Sequence, residues 1–148
     1  MRVLGLDYGA RTIGAAVSDS RGEMALPLET ICRKEENKLR RSLARIQELC
    51  GEYGVEKIVI GLPLNMDGTE GERALLTRRF GEMAARRTGL PVLYEDERLT
   101  SWEADSLLAE GGIPRKDRKK TEDQIAAALI LRSYLEKEAS HGKDPVSR

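Results

Sequence analysis

The sequence predicts an α/β domain in which three consecutive strands precede helices that alternate with two further strands. Two adjacent apolar runs, residues 3–9 and 12–18, have the composition of buried strands. From residue 35 onward, apolar residues recur at helical spacing, and two short apolar runs lie between the helical segments. We therefore expect helices packed on a sheet.

The first three strands should form an antiparallel meander. The turn between the first two strands is very short, and Ser20, Arg21 and Gly22 suit the turn that leads to the third. Residues 23–32 alternate only loosely and include Pro27. Because proline lacks a backbone donor, this third strand should lie at an edge of the sheet.

The first helix is predicted over residues 35–53. Its apolar residues are spaced to form one helical face, and Gly54 should end it because glycine favours the left-handed conformation found after helices. The residues of this face are Leu39, Leu43, Ile46 and Leu49. The charged remainder indicates an amphipathic surface helix.

Residues 57–61 predict a fourth strand, followed by a turn-rich loop over residues 61–68. Thr69 and Glu72 have the spacing of a capping box, which predicts a helix from there to about residue 88. Residues 91–94 predict the fifth strand. The loop presents backbone amides ahead of a helix N-terminus, an arrangement that suits a phosphate.

Two further capping boxes predict the last two helices. Thr100 and Glu103 would open a helix that ends near residues 111–112, and Thr121 and Gln124 would open one over residues 125–138. Residues 115–120 hold five basic residues in six and predict a mobile loop. We expect one domain over residues 1–139 and a disordered, polar tail over residues 140–148.

Composition narrows the function classes. The 148 residues suit one domain, and the 25 basic residues balance the 25 acidic ones, so a nucleic-acid partner would need a local basic face. Cys32, Cys50 and His141 lack the spacing of a zinc site, and we expect reduced thiols. There is no leader-like segment, and no apolar run approaches the roughly 20 residues of a membrane span. These features predict a cytoplasmic protein that does not bind membranes.

Three acids are the candidate catalytic and metal-binding residues: Asp7, Glu97 and Asp123. Asp7 ends the first strand, Glu97 follows the fifth, and ligands gather outside the carboxyl ends of parallel strands. Asp123 heads the apolar stripe of the last helix, so it should point inward. Such an oxygen-only cluster suits Mg²⁺ or Mn²⁺, and two such ions can activate a water and stabilise the leaving oxygen in phosphodiester hydrolysis.

Each acid also has a purely structural explanation. A carboxylate at a helix N-terminus is favoured by the helix dipole, which would account for Asp123. Glu97 could pair with Arg98 on the surface, and Asp7 could belong to a strand-to-turn junction. The basic residues that could neutralise a nucleic-acid backbone could equally be ordinary solvent-exposed charges. The candidates for nucleic-acid binding are Arg11, Asn65, Lys116, Arg118, Lys119 and Lys120.

Four sequence blocks, in this order, resemble the YqgF family of RNase H-like proteins, described as Holliday junction resolvases or pre-16S rRNA nucleases. The resemblance extends to about residue 138. The blocks are Gly5-Leu6-Asp7-Tyr8-Gly9 with Arg11-Thr12-Ile13-Gly14 and Ser18-Asp19; Gly61-Leu62-Pro63-Leu64-Asn65-Met66-Asp67-Gly68-Thr69; Asp96-Glu97-Arg98-Leu99-Thr100; and Lys119-Lys120 with Asp123 and Ala126-Ala127.

The resemblance implies a five-stranded mixed sheet in the order 3-2-1-4-5 and a divalent-metal nuclease that matures the 5′ end of the small-subunit ribosomal RNA precursor. It maps the family's acidic triad onto Asp7, Glu97 and Asp123. Two positions depart from the family pattern: Glu122 replaces an aliphatic residue, and Ser101 replaces a second threonine. Glu122 is therefore the reserve candidate for the third acid.

Three function classes remain open. The leading hypothesis is an endonuclease that acts on precursor ribosomal RNA, free or within ribosomal particles, or on branched DNA as a Holliday junction resolvase. An ATP-binding domain of the actin or sugar-kinase type shares the motif around Asp7, but such proteins need two domains and this chain has room for one. The third class is a nucleic-acid-binding or ribosome-associated module without catalysis.

Overall fold

The computed structural model describes residues 2–97 and 115–142, and within the last helix it describes the side chains of residues 122–139. Five strands and three helices lie in these residues. They are β1 (Arg2–Tyr8), β2 (Thr12–Ser18), β3 (Ala25–Cys32), α1 (Arg40–Tyr53), β4 (Val55–Leu62), α2 (Glu72–Thr88), β5 (Val92–Asp96) and α3 (Arg115–Gly142).

The strands form one sheet in the order β3-β2-β1-β4-β5. The pairs β1–β2 and β2–β3 are antiparallel, whereas β1–β4 and β4–β5 are parallel. This arrangement confirms both the predicted meander and the mixed sheet. Because β1 and β4 are parallel and central, both faces of these strands are covered, which explains their nearly continuous apolar sequences.

Each face of the sheet has its own hydrophobic core. Alternate residues of β1 point to opposite faces, so Leu4, Leu6 and Tyr8 join the core under α1 and α2, whereas Val3 joins the core under α3. Helix α3 packs closely on the centre of the sheet because Gly5 has no side chain: a Cβ there would lie 2.8 Å from Leu131 Cβ. The lack of a side chain at Gly5 therefore lets α3 lie close to the sheet.

The first two helices begin later than the sequence predicts. Helix α1 starts at Arg40 rather than residue 35, although Gly54 ends it as predicted, with φ of 63°. Helix α2 starts at Glu72, and its N-cap residue is Gly71, so the predicted capping box at Thr69 is wrong. The physical reason is that the Thr69 hydroxyl donates a hydrogen bond to Asp67 Oδ1 at 2.6 Å instead of capping the helix.

The prediction of a basic loop over residues 115–120 is also wrong. These residues form the first turns of α3, so Thr121 lies inside the helix rather than at its N-cap, and the helix continues to Gly142. Lysine and arginine are good helix formers, and Pro114 precedes the first helical residue, where proline is well tolerated. The predicted helix that opens at Thr100 and the tail from residue 143 lie outside the described residues.

Two further expectations concern the thiols and the membrane. Cys32 is exposed and Cys50 is buried, and both are free, which confirms the expectation of unpaired thiols. Of the helices that the structure describes, none combines the length and the apolar character needed to cross a bilayer.

Candidate active site

Asp7 lies near the carboxyl end of β1 and faces α3. Its neighbours Leu6 and Tyr8 are buried in the core under α1 and α2, so the alternation of the strand turns Asp7 to the opposite face. Asp7 is paired with Gly14 of β2 across the antiparallel ladder. The carboxyl group therefore lies at the carboxyl end of the central strand, on the sheet face that α3 covers.

Glu97 follows β5 directly and reaches back towards Asp7. Its backbone nitrogen donates a hydrogen bond to the Leu62 carbonyl oxygen at 3.3 Å, which holds it beside the end of β4. Its side chain crosses Gly61, because a Cβ on that glycine would lie 2.8 Å from Glu97 Oε2. The carboxyl groups of Glu97 and Asp7 share a hydrogen bond. Glycine at position 61 thus leaves room for this contact.

Asp123 approaches the same place from α3. A Cβ added to Gly14 would overlap the Asp123 carbonyl oxygen and would lie 3.0 Å from Asp123 Cβ. Because Gly14 is the ladder partner of Asp7, this packing places Asp123 next to Asp7. The structure therefore places Glu97 against Asp7 and Asp123 near Asp7, on one face of the sheet and at the carboxyl end of β1.

The structural explanation of Asp123 as a helix-dipole partner does not hold. The dipole effect is confined to the first turn, but Asp123 is the ninth residue of α3, which begins at Arg115. Asp123 also raises the pKa of Asp7 more than the neighbouring Glu122 does. This difference favours Asp123 over Glu122 as the acid that faces Asp7.

The cluster is electrostatically unfavourable without a cation. Burial raises the pKa of Asp7, and the negative charges of Asp123 and Glu122 raise it further, although the hydrogen bond from Glu97 opposes them. Burial, followed by the charge of Asp7, raises the pKa of Glu97 to about 9. At neutral pH the Asp7–Glu97 pair therefore retains a proton, as close carboxyl pairs do.

These oxygen donors fit a small divalent cation. Mg²⁺ retains several waters and is usually held by one or two carboxylates together with substrate phosphates, rather than by a complete protein cage. Among the described residues, no group of three acidic, cysteine or histidine side chains lies close enough together to form a ready-made metal site. The Asp7 carboxylate can hold a cation together with Glu97 on one side and with Asp123 on the other.

The loop after β4 forms a small hairpin rather than an open phosphate cradle. Three of its backbone amides are used internally: those of Asn65, Gly68 and Thr69. The predicted nucleic-acid ligand Asn65 contributes to this hairpin, since its Nδ2 donates to Thr69 Oγ1 at 2.9 Å and its side chain lies over Gly71. The hairpin is exposed and starts beside Glu97, because β4 ends at Leu62.

The predicted basic residues lie in two places. Arg11 is exposed on the turn between β1 and β2, at the same sheet edge as Asp7. The other four lie in the first turns of α3, within about two helical turns of Asp123, and their side chains lie outside the described part of the structure. These four residues are Lys116, Arg118, Lys119 and Lys120.

The sequence did not reveal a network on the other face of the same edge. Tyr8 donates a hydrogen bond to Glu36 Oε2 at 3.0 Å, and Arg73 Nη1 donates to the same oxygen at 2.7 Å. Arg33 lies over the Tyr8 ring, 5.0 Å from its centre. Arg73 also lowers the pKa of Glu97, so the network reaches the acid cluster. Glu36 and Arg73 are 37 residues apart, and no local pattern links them.

A five-stranded mixed sheet in this order, with acids meeting at the end of its central strand, defines an RNase H-like nuclease. The chain belongs to the RuvX family: the family model described as "RuvX: Holliday junction resolvase" matches residues 1–137. This match confirms the family to which the four sequence blocks point, and it confirms the enzyme class.

Individual relatives match nearly the whole chain. A protein of Lachnospira eligens named "Putative pre-16S rRNA nuclease" is 54% identical over 136 residues, which cover 92% of this chain and 97% of the relative. A Lactococcus lactis subsp. cremoris protein of the same name is 46% identical over 138 residues, covering 93% and 96%. Among solved structures, Thermus thermophilus RuvC in complex with a Holliday junction substrate has the same fold, with a TM-score of 0.57 at 19% identity, covering 94% and 96%.

Proposed function

We propose that this chain hydrolyses phosphodiester bonds of structured nucleic acid, with Asp7, Glu97 and Asp123 holding divalent cations, Mg²⁺ or Mn²⁺. The observation that supports the proposal is the convergence of these three acids on one face of the sheet edge. Burial and mutual repulsion raise the pKa of Asp7 and of Glu97, so a cation in this position would relieve a real electrostatic cost.

Each acid has a distinct part in this proposal. A divalent cation supplies a Lewis acid that activates water and stabilises the leaving oxygen of a phosphodiester. Asp7 interacts with both other acids and would hold the metal together with Glu97, which follows β5, and Asp123 on α3. Glycines at positions 14 and 61 leave room for Asp123 and Glu97 to approach Asp7.

The substrate that we propose is the precursor of 16S rRNA, trimmed at its 5′ end in the cytoplasm, within or alongside ribosomal precursor particles. Support comes from the names of relatives that match over nine-tenths of the chain. We further propose that Arg11, Asn65 and the basic start of α3, with Lys116, Arg118, Lys119 and Lys120, contact the nucleic-acid backbone. The description of the family model favours a second candidate, the resolution of branched DNA.

The test is a cleavage assay with labelled precursor rRNA and a four-way DNA junction, each with Mg²⁺, Mn²⁺ or chelator. Wild type and Asp7→Asn are compared with Glu56→Gln. This control removes an exposed carboxylate at the start of β4, at the end of the parallel strands opposite Asp7. Metal-dependent cleavage of one substrate, lost in Asp7→Asn and retained in Glu56→Gln, supports the proposal and identifies the nucleic acid.

Three other results would count against parts of the proposal. Activity that survives Asp7→Asn would move the site away from the acid cluster. Loss of activity in Glu122→Gln but not in Asp123→Asn would make Glu122 the third acid. Salt-sensitive binding without any cleavage would favour a binding module.

A further inference from the structure

A cleft of about 750 Å³ lies along the segment that joins β3 to α1. All residues from Cys32 to Ser42 except Glu36 line it, and Glu35 is the one acid among the lining residues. Four basic side chains at the cleft are exposed: Lys34, Lys38, Arg40 and Arg41. This β3–α1 cleft therefore has a strong local positive charge on a chain whose net charge is zero.

The basic residues of the cleft differ from other arginines of the same domain. Arg45, Arg73 and Arg78 each form an ion pair with a glutamate at 2.7 Å. Within the described part of the chain, none of the four exposed bases of the cleft forms such a pair. Their charge is thus not neutralised by an ion pair with another described residue.

The start of α1 adds to this positive potential. Its N-cap residue, Leu39, makes no side-chain capping bond, and the first turn contains no acid. Instead, the helix begins with Arg40 and Arg41. Cations at the positive end of a helix dipole are unfavourable by themselves, whereas an anion there is stabilised by both the helix and the side chains.

The cleft is attached to the same sheet edge as the acid cluster. The Arg33 backbone nitrogen donates to the Arg11 carbonyl oxygen at 2.8 Å, and Arg33 Nη2 donates to the Gly9 carbonyl oxygen at 2.7 Å. Gly9 is two residues beyond Asp7 in the chain. Arg33 is therefore an anchor that positions the cleft, while the four exposed bases face solvent.

We propose that the β3–α1 cleft binds the phosphate backbone of the nucleic-acid substrate, away from the bond that is cut. The inference rests on the proposed nuclease function and assigns a binding surface to it. An acidic cluster repels phosphate, so the enzyme needs a separate basic surface to hold the substrate. The unpaired bases and the uncapped start of α1 provide one next to the turn that follows Asp7.

The first test measures the affinity of fluorescent RNA hairpins and four-way DNA junctions over a salt series, with chelator present so that no cleavage occurs. Lys38→Gln/Arg41→Gln is compared with Arg21→Gln/Arg86→Gln, a control that removes the same charge from exposed positions elsewhere. We expect about tenfold weaker binding for the cleft variant near 0.1 M salt and a salt slope reduced by about 2. The control should bind within about twofold of wild type.

The second test uses the native thiols and needs no substitution. Cys32 is exposed and lines the cleft, whereas Cys50 is buried and burial raises its pKa to about 11, so a maleimide should modify Cys32 alone. Bound nucleic acid should slow this modification several-fold, and high salt should remove the protection.

The two functions can fail separately. If the cleft variant binds as tightly as the control variant and nucleic acid does not protect Cys32, the cleft proposal is overturned, even where the wild type cleaves. If no substrate is cleaved but the cleft variant still loses affinity, the binding surface stands and the nuclease proposal fails. If all variants bind nucleic acid equally, the cleft does not bind nucleic acid, and an acidic protein becomes the alternative ligand.

Discussion

Asp7 and Tyr8 are neighbours on β1, but they point to opposite faces of the sheet and meet opposite electrostatic environments. Next to Tyr8, the acid Glu36 is buried to some extent, yet hydrogen bonds from Arg73 and Tyr8 outweigh that burial and lower its pKa. Next to Asp7, burial and two further acids raise the pKa of the carboxyl pair. On the Tyr8 face, Arg73 and Tyr8 stabilise the charge of Glu36. On the Asp7 face, several acids lie close to one another.

The difference shows that the acid cluster is not a general property of this charged chain. Arginines are available at the same sheet edge, and Arg73 even lowers the pKa of Glu97, but it forms its ion pair with Glu36. A fold that pairs one acid fully and crowds the acids on the other face is suited to bind a cation at the crowded acids.

The largest expected effect is on catalysis. Glu97→Gln should lower the rate of metal-dependent cleavage on the order of a thousandfold, equivalent to roughly 4 kcal/mol of barrier, because it removes a carboxylate from the proposed metal-binding face. Glu36→Gln is the matched change on the other face and should lower the rate by about tenfold at most. Steady-state cleavage rates check both, and equal losses would show that the two faces are not functionally distinct.

The next largest effect concerns the glycine that lets Asp123 approach. Gly14→Ala should lower the free energy of unfolding by about 3 kcal/mol, because the added methyl overlaps the backbone of α3. Gly51→Ala in α1 is the control: no atom lies within 4 Å of its Cβ position, so the exchange should stabilise the protein by about 0.5–1 kcal/mol.

Urea unfolding followed by circular dichroism measures both changes. An unaltered stability in Gly14→Ala would mean that α3 does not press on β2 at this position, and the placement of Asp123 beside Asp7 would lose its basis.

The pH dependence of stability should have opposite signs on the two faces. Without metal, the folded chain keeps a proton on Glu97 that the unfolded chain releases above the ordinary value of 4.5. The free energy of unfolding should therefore fall as pH rises from about 5 towards 9, and Glu97→Gln should remove about 1 kcal/mol of that fall.

Glu36 has a lowered pKa, so its contribution is present above its ordinary value and is lost as pH falls. Glu36→Gln should destabilise the protein at neutral pH, by about 1 kcal/mol, and less near pH 3. Thermal unfolding with chelator over this pH range compares the two variants. Parallel pH profiles for them would contradict the contrast between the faces.

The smallest effect is the response to metal. Mg²⁺ at about ten times its dissociation constant should stabilise the wild type by about 1.4 kcal/mol, or roughly 3–6 °C in Tm. Glu97→Gln should show less than half of this shift, while Glu36→Gln should retain it. Scanning calorimetry with potassium salt at matched ionic strength is the control, and a full shift in Glu97→Gln would exclude that acid as a ligand.

Much of the fold is readable from the chain, because strand and helix identity depends on nearby residues. The alternation of β1, the edge position of β3 and the stop at Gly54 follow from side-chain pattern and backbone preference. The predicted capping boxes at Thr69 and Thr121 show the limit of such evidence. Thr69 has the right spacing, but a competing acceptor on Asp67 takes its hydroxyl, and the helix start moves.

The acids themselves are visible in the sequence, since Asp7 and Glu97 lie at the ends of apolar strand-like runs and Asp123 precedes an apolar helical stripe. Their meeting was decided by the tertiary structure. It depends on β1 pairing with both β2 and β4, and on two glycines that allow Asp123 and Glu97 to approach from other elements. The Glu36–Arg73 pair and the basic β3–α1 cleft are likewise products of long-range packing.

The sequence by itself thus determined the class of fold, the family and the residues that are capable of the chemistry. Only the tertiary structure decided which charges are neutralised within the protein and which are left for a cation or a phosphate. The physical reason is one of range: backbone preference acts over a few residues, whereas burial and charge pairing depend on segments that are distant in the chain.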